Sequence, residues 1–325
     1  MNFIRLIRPV NLAVIALTMY SIRFFFIPYF NYANPVLQKL GRTESLDYFL
    51  LVFSTILIAA AGNIINDYFD VKADRINKPE KVIIGKHIKQ RWAIVWHWAF
   101  NFVAFSIACY LSFRHETFWY VFIHLFSINA LWFYSMYFKR QFLIGNVLIA
   151  LLTGLVPILS GIYFLDITKP YSAIQNDFWT IENTSWITGI NLKIFFVLFF
   201  AFFAFALNFL REIVKDMEDV KGDLILRAKT LPIMLGIAKT RLICIALIGC
   251  YLVLPLPFII EGISRYSYAF YANLAPALLI ILALLIAAFL LIRSTEKSVL
   301  KSVDFLLKIA MVIGTSLPFY WILIA

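Results

Sequence analysis

Two acidic clusters hold the residue types and spacing most suited to chemistry. The first reads Asn66-Asp67-Tyr68-Phe69-Asp70-Val71-Lys72-Ala73-Asp74-Arg75-Ile76-Asn77-Lys78-Pro79, and the second Arg211-Glu212-Ile213-Val214-Lys215-Asp216-Met217-Glu218-Asp219-Val220-Lys221-Gly222-Asp223. Asn66, Asp70 and Asp74 are four apart, with Asp67 three before Asp70. On a helix these oxygens share one face over two turns, and Pro79 then makes a natural stop. Asp216, Asp219 and Asp223 repeat the register of Asp67, Asp70 and Asp74.

Aligned carboxylates repel one another, and burying them near lipid is costly without a counter-charge. A hard dication supplies it. Mg²⁺ is typically held by one or two carboxylates together with substrate phosphates. A diphosphate lying between two carboxylate faces would accept Mg²⁺ from both sides, and nearby Lys and Arg would neutralise the leaving group as its C–O bond breaks. A lone Asp in such a place is more simply a solvated loop charge. Two matched registers of acidic and amide residues are not accounted for that way.

The elements that must position these clusters are membrane helices. The chain of 325 residues is 62% hydrophobic and 14% charged, where a soluble domain is about half apolar and a quarter charged. Apolar blocks run approximately over 9–30, 46–68, 92–112, 118–138, 142–164, 192–213, 240–260, 269–292 and 303–325. Each is long enough to cross a bilayer, and each must be helical because lipid offers the backbone no hydrogen bonds. None alternates as a barrel strand would. Arg5 and Arg8 precede the first block as in a signal peptide, but its length and bulky aromatics mark a retained helix. The expectation is one all-α domain over 1–325, nine transmembrane helices in a bundle.

Basic residues set the orientation. The N-terminus and the even-numbered loops hold 21 Lys and Arg, and the odd-numbered loops hold 5. That asymmetry predicts a cytoplasmic N-terminus, a C-terminus on the opposite side, and both acidic clusters on the cytoplasmic face. It also accounts for the net charge of +11 without nucleic acid as a partner. The clusters lie four helices apart, as if in two related halves, although no sequence repeat accompanies them. Cys109, Cys244 and Cys250 sit in apolar blocks without metal-ligand spacing, and no two of the four histidines are at i, i+4. These are packing residues rather than a zinc site. The polar stretch 166–191 forms the longest outer loop and suggests no chemistry.

At the acidic residues the chain resembles the UbiA superfamily of intramembrane prenyltransferases. Asn66-Asp67-x-x-Asp70-x-x-x-Asp74 with Asn77-Lys78-Pro79 is similar to the family's first motif, and Lys215-Asp216-x-x-Asp219-x-x-x-Asp223 to its second. Arg8-Pro9-Val10-Asn11, Tyr134-Ser135, Lys139-Arg140, Gly145-Asn146 and Thr230-Leu231-Pro232 also fit. The resemblance covers essentially the whole chain. It implies a central cavity under a cytoplasmic cap, with Mg²⁺ and diphosphate held by Asn66, Asp67, Asp70, Asp74, Asp216, Asp219 and Asp223. Asp70 and Asp219 would be decisive for catalysis. Asn11, Lys78, Lys81, Tyr134, Lys139, Arg140, Arg211 and Lys215 would face the substrates. The chain departs from the family pattern at Glu80-Lys81-Val82, where an Arg-Pro turn is usual, and a Lys lacks the bidentate geometry of Arg.

The reaction so implied is metal-assisted ionisation of an allylic prenyl diphosphate and capture of the cation by a lipophilic acceptor. Tyr68, Tyr134 and Tyr137 stand near the rim where aromatic faces would meet that cation. The Arg211 to Asp219 run resembles the branch that alkylates a glycerol-phosphate hydroxyl. Aromatic acceptors of quinone or haem biosynthesis, and a terpene cyclase of the same superfamily, are the enzymatic alternatives. A transporter would instead place its ionisable groups near the bilayer midplane, whereas these acids cluster at cytoplasmic ends. Arg23, within the first apolar block, either meets an anionic acceptor or snorkels to the outer interface.

Overall fold

Each apolar block coincides with a helix. The computed structural model describes residues 2–33, 45–168, 192–255 and 268–324. A short helix, α1 (Asn2–Ile7), leads into α2 (Pro9–Ala33), α3 (Ser45–Asn77), α4 (Gln90–Arg114), α5 (Trp119–Met136), α6 (Ile144–Thr168) and α7 (Leu192–Ile225). A small helix α8 (Leu231–Leu235) follows, then α9 (Ile237–Val253), α10 (Tyr268–Arg293) and α11 (Lys297–Ile324). Among the described residues there is no strand, and nine helices have 17 residues or more. Five stretches are long and apolar enough by length and composition to cross a membrane: Ser45–Asn77, Gln90–Arg114, Ile144–Ile167, Val197–Ile225 and Leu274–Arg293. The outer-loop segment 169–191 lies outside the described residues.

Consecutive long helices pack side by side, and α11 returns to pack on α2, closing a ring. Helices α3 and α7 meet across that ring, and α11 also packs on α7. The apolar surface faces outward: Phe102, Phe113, Leu278, Leu279, Leu282 and Phe289 are all exposed. Such a belt suits lipid rather than water. One buried cluster gathers Met19, Tyr48, Leu51, Tyr120, Tyr163 and Phe164, and another joins α7, α9, α10 and α11 through Leu210, Ile248, Leu284 and Leu307.

Polar pairs tie the helices where lipid supplies no hydrophobic force between them. His124 Nε2 meets Ser54 Oγ at 2.8 Å, His97 Nδ1 meets the Ala61 carbonyl at 3.0 Å, and Asn208 donates to Thr153 Oγ1 at 2.8 Å. These histidines are therefore structural. Among the described residues no cysteines are paired.

Two helices stand out by length. α3 has 33 residues and α7 has 34. At about 1.5 Å per residue each spans roughly 50 Å, some 20 Å more than the hydrocarbon core of a bilayer. The acidic clusters occupy the surplus turns, so the membrane helices themselves carry them into the interface.

Candidate active site

α3 runs without a break through the first cluster to Asn77, and a 3₁₀ turn, Pro79–Lys81, follows. Proline stops the helix because it has no N–H to donate and its ring crowds the preceding turn. α7 runs through the second cluster to Ile225, where Arg227 takes a left-handed conformation at φ 53°.

The two helix ends interlock. The Asn77 carboxamide spans them: Nδ2 donates to the Asp219 carbonyl at 3.0 Å, and Oδ1 accepts from the Gly222 amide at 2.9 Å. The approach requires glycine, since a Cβ at position 222 would stand 2.3 Å from Asn77 Nδ2. Lys78 Nζ donates to Asp219 Oδ2 at 2.9 Å and lies 3.6 Å from Glu218. Lys297, at the start of α11, caps the Asn77 carbonyl at 2.9 Å.

Other elements close around this junction. The turn after α5 (Phe138–Arg140) brings Lys139 onto the buried Asp70 carboxylate. That turn sits tightly on the start of α6, where a Cβ at Gly145 would lie 2.8 Å from the Lys139 Cα and the Phe138 carbonyl. Asn146 Nδ2 donates to Asp216 Oδ2 at 2.8 Å. The Arg140 carbonyl accepts the Lys229 amide at 2.8 Å, tying this turn to the segment after α7. From the N-terminus, Arg8 bonds Asp67. Arg8 stands at φ 55° between α1 and α2, a conformation that costs a non-glycine residue about 1–2 kcal/mol and is held here by its carboxylate partner.

Electrostatics decide the character of the basic residues. Burial works against the Lys139 charge, yet Asp70, the nearby Tyr134 and Asp223 outweigh it and hold the ammonium well above its ordinary value. Burial likewise opposes Lys78, and Asp219, Glu218 and Asp74 reverse it. Arg8 is raised too, because Asp67 outweighs its desolvation. All three are permanent cations and not proton acceptors.

The cations do not balance the acids. Eight carboxylates (Asp67, Asp70, Asp74, Glu212, Asp216, Glu218, Asp219, Asp223) stand against six basic groups (Arg8, Lys78, Lys139, Arg211, Lys215, Lys297), so the acids are in surplus by two. Asn66 Oδ1 and Asp219 Oδ1 are also buried without a hydrogen-bond partner. Hard oxygen donors, unpaired and in surplus negative charge, fit a hard dication. Among the described residues no three acidic, His or Cys side chains converge as a metal cage.

Of the residues singled out from sequence, Asp67, Asp70, Asp216 and Asp219 each receive a direct polar partner at this junction. Asp74 and Asp223 lie within electrostatic range of Lys139 and Lys78. Tyr134 is buried beside Lys139. Arg211 and Lys215 both reach Glu212, at 3.2 and 2.6 Å. Asn11 is exposed on the first turn of α2 and joins none of the bonds above. The Lys81 side chain lies outside the described residues. Arg23 donates to Ser45 Oγ at 3.0 Å and lies over the Tyr48 ring, at the end of α3 remote from the acids. It faces the opposite interface and not this site.

Sequence reasoning did not foresee the pairing of Arg8 with Asp67, the Asn77 bridge, the bond from Asn146, or Asp304 on α11, 2.8 Å from Arg211 Nε. Asp304 left one signal, an acid inside an apolar block.

An all-α bundle with an apolar exterior, and with its acids and cations gathered where two long helices end, is an integral membrane protein. Residues 25–312 match the UbiA prenyltransferase family, and the chain belongs to that family. It is 32% identical over 83% of its length to the digeranylgeranylglyceryl phosphate synthase of Thermococcus gammatolerans, covering 84% of that protein. A solved digeranylgeranylglyceryl phosphate synthase superposes with TM-score 0.59 at 23% identity, over 99% of this chain and 98% of that one. A UbiA homolog from Archaeoglobus fulgidus bound to DMAPP and Mg²⁺ superposes with TM-score 0.55 at 15% identity, over 98% and 99%.

Proposed function

We propose that this chain is a Mg²⁺-dependent intramembrane prenyltransferase that moves a prenyl group from an allylic prenyl diphosphate to a lipid-borne glyceryl phosphate. The observation that carries the reading is the interlock of two acidic helix ends around the half-buried, permanently charged Lys78 and Lys139. The likeness to the Thermococcus synthase supports the acceptor, and the fold neighbour bound to DMAPP and Mg²⁺ supports the donor and the metal.

Asn66, Asp70, Asp74, Asp216, Asp219 and Asp223 are the groups that would hold Mg²⁺, with Asp67 kept on the same face by Arg8. Bound there, the metal supplies Lewis-acid neutralisation of the diphosphate oxygens. The protein's own groups do the rest. Lys139 and Lys78 stand beside Asp70 and Asp219 and meet the negative charge that grows on the leaving diphosphate as the allylic C–O bond breaks. These cations are in place beforehand, so no reorganisation accompanies bond cleavage. The buried face of Tyr134 lies where the allylic cation would be screened from water. The acceptor hydroxyl oxygen then forms the new C–O bond, and its proton leaves with the released diphosphate.

In this reading all nine long helices cross the bilayer around a lipid-open cavity as one domain. The N-terminus and both acidic ends are cytoplasmic, and the motif loops cap the cavity. Purified protein given labelled geranylgeranyl diphosphate and a panel of acceptors tests it, with products identified by mass. The expected result is Mg²⁺-dependent transfer to geranylgeranylglyceryl phosphate, abolished by chelation. Transfer only to aromatic acceptors, or diphosphate release without any acceptor, would assign another branch. No diphosphate release at all would remove the enzyme reading.

A further inference from the structure

The C-terminal helix carries a charged pair that the reaction as described does not use. Asp304 and Lys308 lie one turn apart on α11, with Lys308 Nζ 2.5 Å from Asp304 Oδ2. They stand seven and eleven residues into the helix from Lys297, about 10 and 16 Å along its axis. Ionisable groups at such depth almost always face the bundle interior or a cavity and mark a ligand path. Asp304 does point inward, because its other oxygen lies 2.8 Å from Arg211 Nε on α7.

From there the charges continue. Arg211 Nη1 lies 3.2 Å from Glu212 Oε1, and the same oxygen accepts from Lys215 at 2.6 Å. Three cations are strung on two carboxylates, with Arg211 in the middle, and the group keeps one positive charge in excess. Arg211 precedes Asp216 by five residues on α7, so the middle of the string lies about 7.5 Å further into the membrane than the second acidic motif, while its Lys215 end adjoins that motif. Two members of it are incompletely satisfied: Arg211 Nε and Asp304 Oδ1 are buried without a properly angled hydrogen bond. The Lys308 side chain is 44% exposed, against 16% for Asp304 and 12% for Arg211. Lys308 is thus the most exposed member of the string.

We propose that Lys308, with Arg211 and Lys215, forms the subsite for the phosphate monoester of the acceptor lipid, and that Asp304 occupies Arg211 and Lys308 until that phosphate arrives. The inference rests on the prenyltransferase reading for the identity of the acceptor, and it adds the C-terminal helix to the substrate site. A phosphate offers three acceptor oxygens and nearly two negative charges. It satisfies Arg211 Nε and the Lys308 ammonium better than one carboxylate does. The distance of Arg211 from Asp216 along α7 suits a small three-carbon headgroup whose hydroxyl must reach the allylic carbon while its phosphate stays on the Arg211 and Lys308 side.

Direct binding tests this without turnover. In nanodiscs, without Mg²⁺ or prenyl diphosphate, the affinity for geranylgeranylglyceryl phosphate is compared with that for neutral geranylgeranylglycerol. The expected result is a preference for the phosphorylated lipid on the order of tenfold or more, the size of one charge-assisted hydrogen bond. Lys308→Gln should lose most of that preference, and Lys308→Arg should restore it. In turnover, Lys308→Gln should raise the acceptor KM while the prenyl diphosphate KM stays within about twofold. Equal affinity for the two lipids in the wild type, or an undiminished preference in Lys308→Gln, overturns the inference. A preference in a protein that transfers no prenyl group to this lipid upholds the subsite and removes the proposed reaction instead.

Discussion

Replacing Gly222 by alanine tests whether the two acidic helix ends must sit in contact for the enzyme to work. The new Cβ would fall 2.3 Å from Asn77 Nδ2, 2.8 Å from its Cγ and 3.1 Å from the Ala73 carbonyl oxygen. Ordinary contact needs about 3.5 Å or more, so α3 and α7 must part by roughly 1 Å or the Asn77 carboxamide must turn away. Either response breaks both of its bonds to α7. Two hydrogen bonds are worth about 1–3 kcal/mol together. Alanine in place of a helical glycine returns about 1 kcal/mol in helix propensity, so overall stability should change little. Catalysis has no such compensation, because a 1 Å displacement of positioned groups costs about a hundredfold in rate. The assay is Mg²⁺-dependent diphosphate release in detergent, run beside a thermal melt. Gly222→Ala should fall by roughly a hundredfold in kcat with a Tm shifted by only a few degrees. In Asn77→Ala the amide is already gone, so adding Gly222→Ala should cost little more. A Gly222→Ala protein that turns over within about threefold of wild type would refute the interlock as a requirement.

Asp70→Ala and Asp219→Ala should each abolish turnover while the protein still inserts into the membrane and purifies intact, and activity retained in both would remove the metal site. Lys139→Met should lower kcat by roughly 10²–10³-fold, the loss typical of one preorganised donor to a developing anion; Lys139→Arg should recover part of it, and steady-state kinetics separates the two. For topology, single cysteines at Lys86 and Glu116, in a background lacking the native thiols, should react with impermeant maleimide from the cytoplasmic and the outer side respectively. The opposite pattern would invert the assigned orientation.

Reading the chain alone located the helices well. Ionic and apolar residues are sorted so sharply that all nine apolar blocks fall on helices, with most ends in the described segments within several residues and only α3 and α7 running well beyond their blocks. The clearest extension is at the acidic ends: the apolar block stops near residue 68, but α3 continues to Asn77 because nothing before Pro79 interrupts its backbone hydrogen bonds. Spacing also placed Asp67, Asp70 and Asp74 on one helix, and Asp216, Asp219 and Asp223 on the other. Partnership was a different matter. Asp67 and Asp70 are three residues apart and look equivalent, yet one is held by Arg8 and the other by Lys139. Arg23 read equally as a contact for an anionic acceptor or as an anchor at the outer interface until Ser45 and Tyr48 were seen beside it.

What the amino-acid order determined by itself was everything set by local periodicity and by the solvent: membrane helices, their approximate ends, and two oxygen-bearing faces in matched register. Those features depend on neighbours within a turn or two and on transfer between water and lipid, so composition along the chain suffices. Only the tertiary structure decided which charge meets which. The Asn77 contact with Gly222 spans 145 residues, and the approach of Arg211 to Asp304 spans 93. Such pairings follow from how the long helices close into a ring, and no local pattern encodes them.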